Sequence, residues 1–280
     1  MIITASDFFS RTAAELPQRT EDAFFSSIRN RNKTFKRTNG LRFASLDPLL
    51  VEAMRDYSAT GPAELLDIGI SSGATTLELQ RVLAEAGYFP RITGTDLAIH
   101  ASIVRLGNRC SALVSKDGQP LQFDLAGIAV RPWPRRLDWI TGMWLVRPLI
   151  RRWLTPQLER KADDEDCPVA LISPRLTNHS FITIVEDDIL IRRKEFVGRY
   201  GLIRAANILN RDYFASDDLR RAIGNLRSYL EGPGSLLLIV RTLESGEHHG
   251  TLFVLDELRR LRVRQRFGKG SEIEQLALRI

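Results

Sequence analysis

The chain has 280 residues, 44% hydrophobic and 26% charged, the make-up of an ordinary globular protein with room for one large domain or a domain carrying a sizeable insert. Lys and Arg outnumber Asp and Glu by 40 to 34, for a net charge of +6. Two cysteines, Cys110 and Cys167, and four scattered histidines offer neither a disulfide framework nor metal-ligand spacing, and no apolar run approaches the roughly 18 residues of a membrane-spanning helix.

In chain order, Met1–Asp7 lacks the basic start and apolar core of a secretion signal, so a cytoplasmic protein is expected. Residues 1–60 read as helical and irregular, with Phe8, Phe9, Phe24, Phe25, Phe35 and Phe43 as apolar anchors. Within it, residues 29–42 carry Arg29, Arg31, Lys33, Lys36, Arg37 and Arg42 and no acid. This is a solvated basic face, or a surface for phosphate, an anionic membrane or an acidic partner. Nucleic acid is the poorer partner, because aromatic residues do not interleave with a basic groove. Leu49–Tyr57 reads as a helix leading into the first strand.

Leu65–Ile68 is a short apolar run consistent with a buried strand. Gly69 and Gly73 suit a sharp turn, and Ala74–Ala86 reads as a helix with Leu77, Val82 and Leu83 inward and Gly87 at its stop. Backbone N–H groups at that helix start suit a carboxylate or phosphate. Ile92–Asp96 is the next strand, ending on an acid placed to grip a ribose hydroxyl. A dinucleotide site wants G-x-G-x-x-G, but Ser71 and Ala74 stand at its second and third glycines.

The pattern Asp67-x-Gly69-x-x-x-Gly73 instead resembles the first motif of class I S-adenosylmethionine-dependent methyltransferases, with Asp96 matching the family's ribose-binding acid. Ser71 replaces the usual middle glycine. The resemblance implies an α/β fold: a Rossmann-like, doubly wound, mostly parallel sheet over residues 61–280 with a C-terminal antiparallel hairpin, and an N-terminal helical cap at 1–60. It implies S-adenosyl-L-methionine as cofactor and methyl transfer to an acceptor heteroatom. A nucleotide-cofactor oxidoreductase and a non-catalytic S-adenosylmethionine-binding or scaffolding protein stand as alternatives.

Residues 101–180 form an insert between the second and third strands. Leu113–Phe123 reads as a hairpin turning at Asp117-Gly118. All four tryptophans follow, Trp133, Trp139, Trp144 and Trp153, among Arg131, Arg135, Arg136, Arg147, Arg151 and Arg152, and then the acidic run Asp163–Asp166. The Trp/Arg stretch fits packing against the protein itself, a substrate lid, an oligomer interface, or peripheral membrane contact through residues 131–155.

Phe181–Val185 reads as the third strand. In the family an acid after it reads the adenine amino group; Asp188 is the better match and Asp187 the alternative, and both also suit turn capping. Tyr200–Asn210 resembles the fourth strand and its loop, with Gly201 replacing the usual acid. Asn207 and Asn210 lie where substrate or methionine contacts are made, or simply order the loop. Leu219–Leu230 fits an amphipathic helix and Ser235–Arg241 a buried strand. Leu261–Phe267 and Glu272–Ile280 read as the closing strand pair. His249 and Tyr213, with His248, are candidates for a catalytic base; no metal site is expected. The acceptor expected is a small molecule, lipid or saccharide rather than nucleic acid.

Overall fold

The computed structural model describes residues 2–29, 40–55, 61–107, 109–134, 136–139 and 167–280, with the single positions Leu145, Pro148, Arg152 and Pro156. Its contacts divide the chain into two compact units, Met1–Asn39 with Ala98–Thr177, and Gly40–Leu97 with Asn178–Ile280. The first 39 residues thus group with the insert, and the chain from Gly40 groups with the parallel sheet.

The second unit is built on a seven-stranded sheet. Its strands are β1 (Glu64–Ile68), β2 (Arg91–Asp96), β8 (Ile182–Glu186), β9 (Leu202–Ala206), β10 (Leu236–Thr242), β11 (His248–Leu255) and β12 (Leu261–Phe267), in the order β12-β11-β10-β9-β1-β2-β8. The pairs from β8 through β10 are parallel, and β10–β11 and β11–β12 are antiparallel. β10 opens on a continuous apolar run, Leu236–Val240, because both of its faces are covered.

On one face lies α4 (Ala74–Glu85), preceded by α3 (Asp47–Arg55), with which it packs. The inward stripe of α4 is Thr75, Thr76, Leu79 and Leu83, while Leu77 and Val82 are only half-buried. On the other face lies α5 (Ser216–Tyr229), whose Leu219, Ala222, Ile223 and Leu226 sit in one cluster with Leu66, Ile68, Ile203, Leu237 and Ile239. The two helices fall on opposite faces because right-handed crossovers leave β1 and β9 in opposite directions along the sheet.

The closing hairpin is β11–β12, one element earlier than expected. Glu272–Ile280 is not a strand; it holds a short helix, α6 (Glu274–Ala277). Ile273, Leu276, Ala277 and Ile280 recur at spacings of three and four, and all join the α5 cluster. That periodicity selects the helix over the strand.

The first unit is a five-stranded sheet of β3 (His100–Gly107), β4 (Cys110–Ser115), β5 (Pro120–Leu125), β6 (Ile128–Val130) and β7 (Cys167–Ala170), in the order β6-β5-β4-β3-β7. All its pairs are antiparallel. The expected Asp117-Gly118 turn joins β4 to β5, with Gly118 at φ 77°. Helices α1 (Ala5–Phe9) and α2 (Gln18–Ser27) bring Phe8, Phe24 and Phe25 onto Ile103, Leu113 and Leu121. Buried Gln122 ties the N-terminus down, accepting from Ala5 N (2.6 Å) and donating to Ile3 O (3.2 Å).

Of the Trp/Arg stretch, the guanidinium groups of Arg131 and Arg29 lie 5.3 and 5.8 Å from the Trp133 ring centre, and Trp139 is exposed. Trp144, Trp153, Arg135, Arg147, Arg151, the run Asp163–Asp166 and residues 30–39 lie outside the described residues. Among the described residues no helix is long and apolar enough to cross a membrane, and no His/Cys/Asp/Glu group could hold a metal ion.

Candidate cofactor site at the strand switch point

Strand order reverses between β1 and β9, and the crevice at the carboxyl ends of such strands is where open α/β sheets take ligands. The turn Gly69–Gly73 sits at this point. Gly69, Ser71 and Gly73 have φ values of 71°, 60° and 81°. Ser71, standing where the resembled family has glycine, thus adopts the conformation a side chain resists. The turn is stitched to the end of β2: Gly69 N and Ile70 N donate to Thr95 O (2.7 and 3.0 Å), and Ser71 N donates to Asp96 Oδ2 (2.8 Å). Beyond it, α4 begins without a side-chain cap; Thr76 N donates to Gly73 O (3.1 Å), and the N–H groups of Ala74 and Thr75 come before any intrahelical acceptor, a setting that favours an anion.

Gly69 has a packing reason for lacking a β-carbon. A β-carbon there would lie 2.8 Å from Ile208 Cδ1, in the loop after β9. Gly69→Ala is therefore expected to destabilise the protein by about 1–3 kcal/mol through backbone strain and this clash. A thermal melt with an unchanged midpoint would contradict it.

Asp67 does not face the crevice. It is buried and binds Arg204, its register neighbour on β9, through Nε–Oδ1 (2.9 Å) and Nη2–Oδ2 (2.6 Å). Thr76 Oγ1 also donates to Asp67 Oδ2 (2.7 Å). Both carboxylate oxygens of Asp67, an expected cofactor residue, are thus engaged inside the protein. Arg204, 1% exposed, further donates to Thr75 O (3.1 Å) and Asp47 Oδ1 (3.4 Å), and lies 5.5 Å from the Phe43 ring centre. The sequence signal for this cluster is an arginine in the middle of an apolar strand, Leu202-Ile203-Arg204-Ala205-Ala206. A charge there must find a buried partner.

Asp47 is the odd member of the cluster. Its Oδ2 has no hydrogen-bond partner among the described residues. Burial pushes its carboxyl up from 3.8 to about 6, against the pull of Arg204 and with repulsion from Asp67. The folded state therefore keeps this proton at pH values where the unfolded chain has lost it. Stability contributed by Asp47 is full below the ordinary aspartate range and is lost as pH rises through about 6. Asp47→Asn, which keeps an oxygen for Arg204, is expected to match wild type near pH 4 and to gain up to roughly 3 kcal/mol at pH 8. Urea denaturation at the two pH values measures this; equal differences at both would rule it out.

The other sequence-derived residues divide. Asp187 follows β8, its N donates to Asp96 O (3.0 Å), and its carboxylate pairs with Arg193 (2.6 Å). Burial raises its pKa, opposed by the Arg193 bond. Asp188 is half-buried, and its Oδ1 accepts from Leu190 N (2.9 Å). Asn207 follows β9 at φ 60°; its Oδ1 accepts from Thr242 N (2.6 Å) and its Nδ2 donates to Thr242 Oγ1 (3.4 Å). Asn210 is buried and its Oδ1 accepts from Asp212 N and Tyr213 N, each at 3.1 Å, so it orders the loop.

Tyr213 is exposed, and His249 packs its ring against Gly268 in the closing hairpin. His248 points to the opposite sheet face from its neighbour and meets the carboxyl edge of β10. Its Nδ1 lies 3.1 Å from Thr242 Oγ1, and its ring centre lies 5.6 Å from that of Phe43. Burial, its largest influence, holds its pKa below the ordinary value and favours neutral imidazole. Strand register (Thr242 opposite His248) separates the two histidines.

No family model and no curated protein matches the chain. Among solved structures it is similar to the CurJ carbon methyltransferase, at 15% identity and a TM-score of 0.37 over 72% of this chain and 35% of that one. It is similar to an O-methyltransferase family protein from Burkholderia thailandensis at 13% identity and a TM-score of 0.32, over 86% and 46% of the two chains. An amino pentose methyltransferase from Micromonospora echinaspora, involved in calicheamicin biosynthesis and solved with S-adenosylmethionine bound, matches at 12% identity and a TM-score of 0.35, over 83% and 80%. The chain thus spans less than half the length of the first two.

Proposed function

We propose that the chain is an S-adenosylmethionine-dependent methyltransferase. The observation that carries this reading is the Gly69–Gly73 turn bonded through Ser71 N to Asp96 at the strand switch point. The residues present suit the cofactor's chemistry. Asp96 offers a carboxylate for the ribose hydroxyls, and the start of α4 offers N–H groups to the amino-acid carboxylate. Asp188 is better placed than Asp187 for the adenine amino group, since Asp187 is committed to Arg193. When bound, the cofactor would supply an electrophilic sulfonium methyl carbon, open to attack by the acceptor with S-adenosylhomocysteine as the leaving group. The protein's part is to align the acceptor and exclude water.

A base is needed only where the acceptor arrives protonated. His248, neutral and held by Thr242 at the carboxyl edge of β10, is the better candidate than His249 or Tyr213. The acceptor is a small molecule, lipid or saccharide, and residues 131–155 are the proposed site of any peripheral membrane contact of this cytoplasmic protein. Calorimetric titration with S-adenosylhomocysteine tests the reading. One-to-one binding is expected, in preference to a nicotinamide dinucleotide; binding of the dinucleotide alone would replace it with the oxidoreductase.

A further inference from the structure

We propose that Arg204 is the positioning residue of the cofactor turn, holding the chain on both sides of Gly69–Gly73 through one buried guanidinium. The inference rests on the cofactor reading above. Asp67 lies two residues before the turn and Thr75 two residues after it, and both bind the same planar group. Thr76 closes the bracket by donating to the Asp67 oxygen that Arg204 Nη2 also holds. Asp47, the first residue of α3, brings a third segment to the same guanidinium.

The turn needs such support. Three of its five residues are left-handed, one of them a serine. Strained backbone of this kind persists only where its surroundings over-determine it. Asp96 fixes the middle of the turn from β2, and Arg204 fixes both its ends from β9. A lysine is no substitute: a point charge on a flexible stem cannot serve Asp67 in bidentate fashion and reach Thr75 O and Asp47 together.

The test is Arg204→Lys, followed by amide hydrogen exchange in the ligand-free protein and by titration with S-adenosylhomocysteine. Exchange at residues 69–76 is expected to accelerate about tenfold while β10–β12 keep wild-type protection, and affinity to fall by about the same factor. A folded Arg204→Lys with a wild-type turn and wild-type affinity overturns the proposal. If Arg204→Lys does not fold, Thr76→Val, which removes one bond of the bracket, takes its place; faster turn exchange supports the proposal and wild-type exchange overturns it. Leu226→Ala on α5, buried far along the sequence from the turn, serves as a comparison of lowered stability. If it reproduces both changes, Arg204 acts through stability alone and the proposal fails. Should the wild-type protein bind no S-adenosylhomocysteine, the cofactor reading falls, and the exchange comparison by itself decides whether Arg204 orders the turn.

Discussion

Arg204→Met is expected to lower the free energy of unfolding by about 3–5 kcal/mol, the usual consequence of removing one partner from a buried ion pair. Asp67 and Asp47 are 2% and 1% exposed, so each would keep a carboxylate away from water with no counter-charge at hand. The cost is not the pair's net contribution but the desolvation left uncompensated. Joining Asp67→Asn to Arg204→Met is accordingly expected to recover part of the loss, since the charge most tightly bound to Arg204 is then gone as well. Urea denaturation curves for the single and double variants measure both effects. A wild-type midpoint for Arg204→Met would show that the cluster contributes nothing to stability.

Asp96→Ala is expected to weaken S-adenosylhomocysteine binding by about 100-fold, the order of two lost charge-assisted hydrogen bonds. Two effects combine. The proposed ribose contact goes, and Ser71 N loses the acceptor that holds the turn at its left-handed residue. Asp96→Asn separates them: it keeps an oxygen for Ser71 N but removes the negative charge, and an intermediate loss of about tenfold is expected. The fold should survive in both, because Asp96 is half-buried at a strand end. Unchanged affinity in a folded Asp96→Ala would mean that the turn binds something other than an adenosine cofactor.

Local signals in the chain anticipated much of the second unit. The apolar runs at 65–68 and 236–241 are strands because their neighbours cover both faces. The spacing of Leu219, Ala222, Ile223 and Leu226 is a helix because one stripe meets the sheet. The tail differs from its local signal for a related reason: Gly268-Lys269-Gly270 after one strand invites a second, but Ile273, Leu276, Ala277 and Ile280 follow helical spacing and bury together around a short helix. The five-stranded sheet of the first unit was legible only at its Asp117-Gly118 turn. Its partnership with the N-terminal phenylalanines joins residues about 100 apart, which no local pattern records.

The candidate site divides along the same line. By itself the sequence determined that a glycine turn and an acid follow two successive strands, since turn chemistry and strand-ending acids are properties of short segments. Only the tertiary structure decided which partners those groups meet within the protein. It turned Asp67 inward to Arg204, committed Asp187 to Arg193, and left Asp96 gripping the turn. It also separated His248 from His249, because adjacent residues of a strand point to opposite faces. A side chain's role depends on which distant segment meets it, and that is set when strands far apart in the chain come into register.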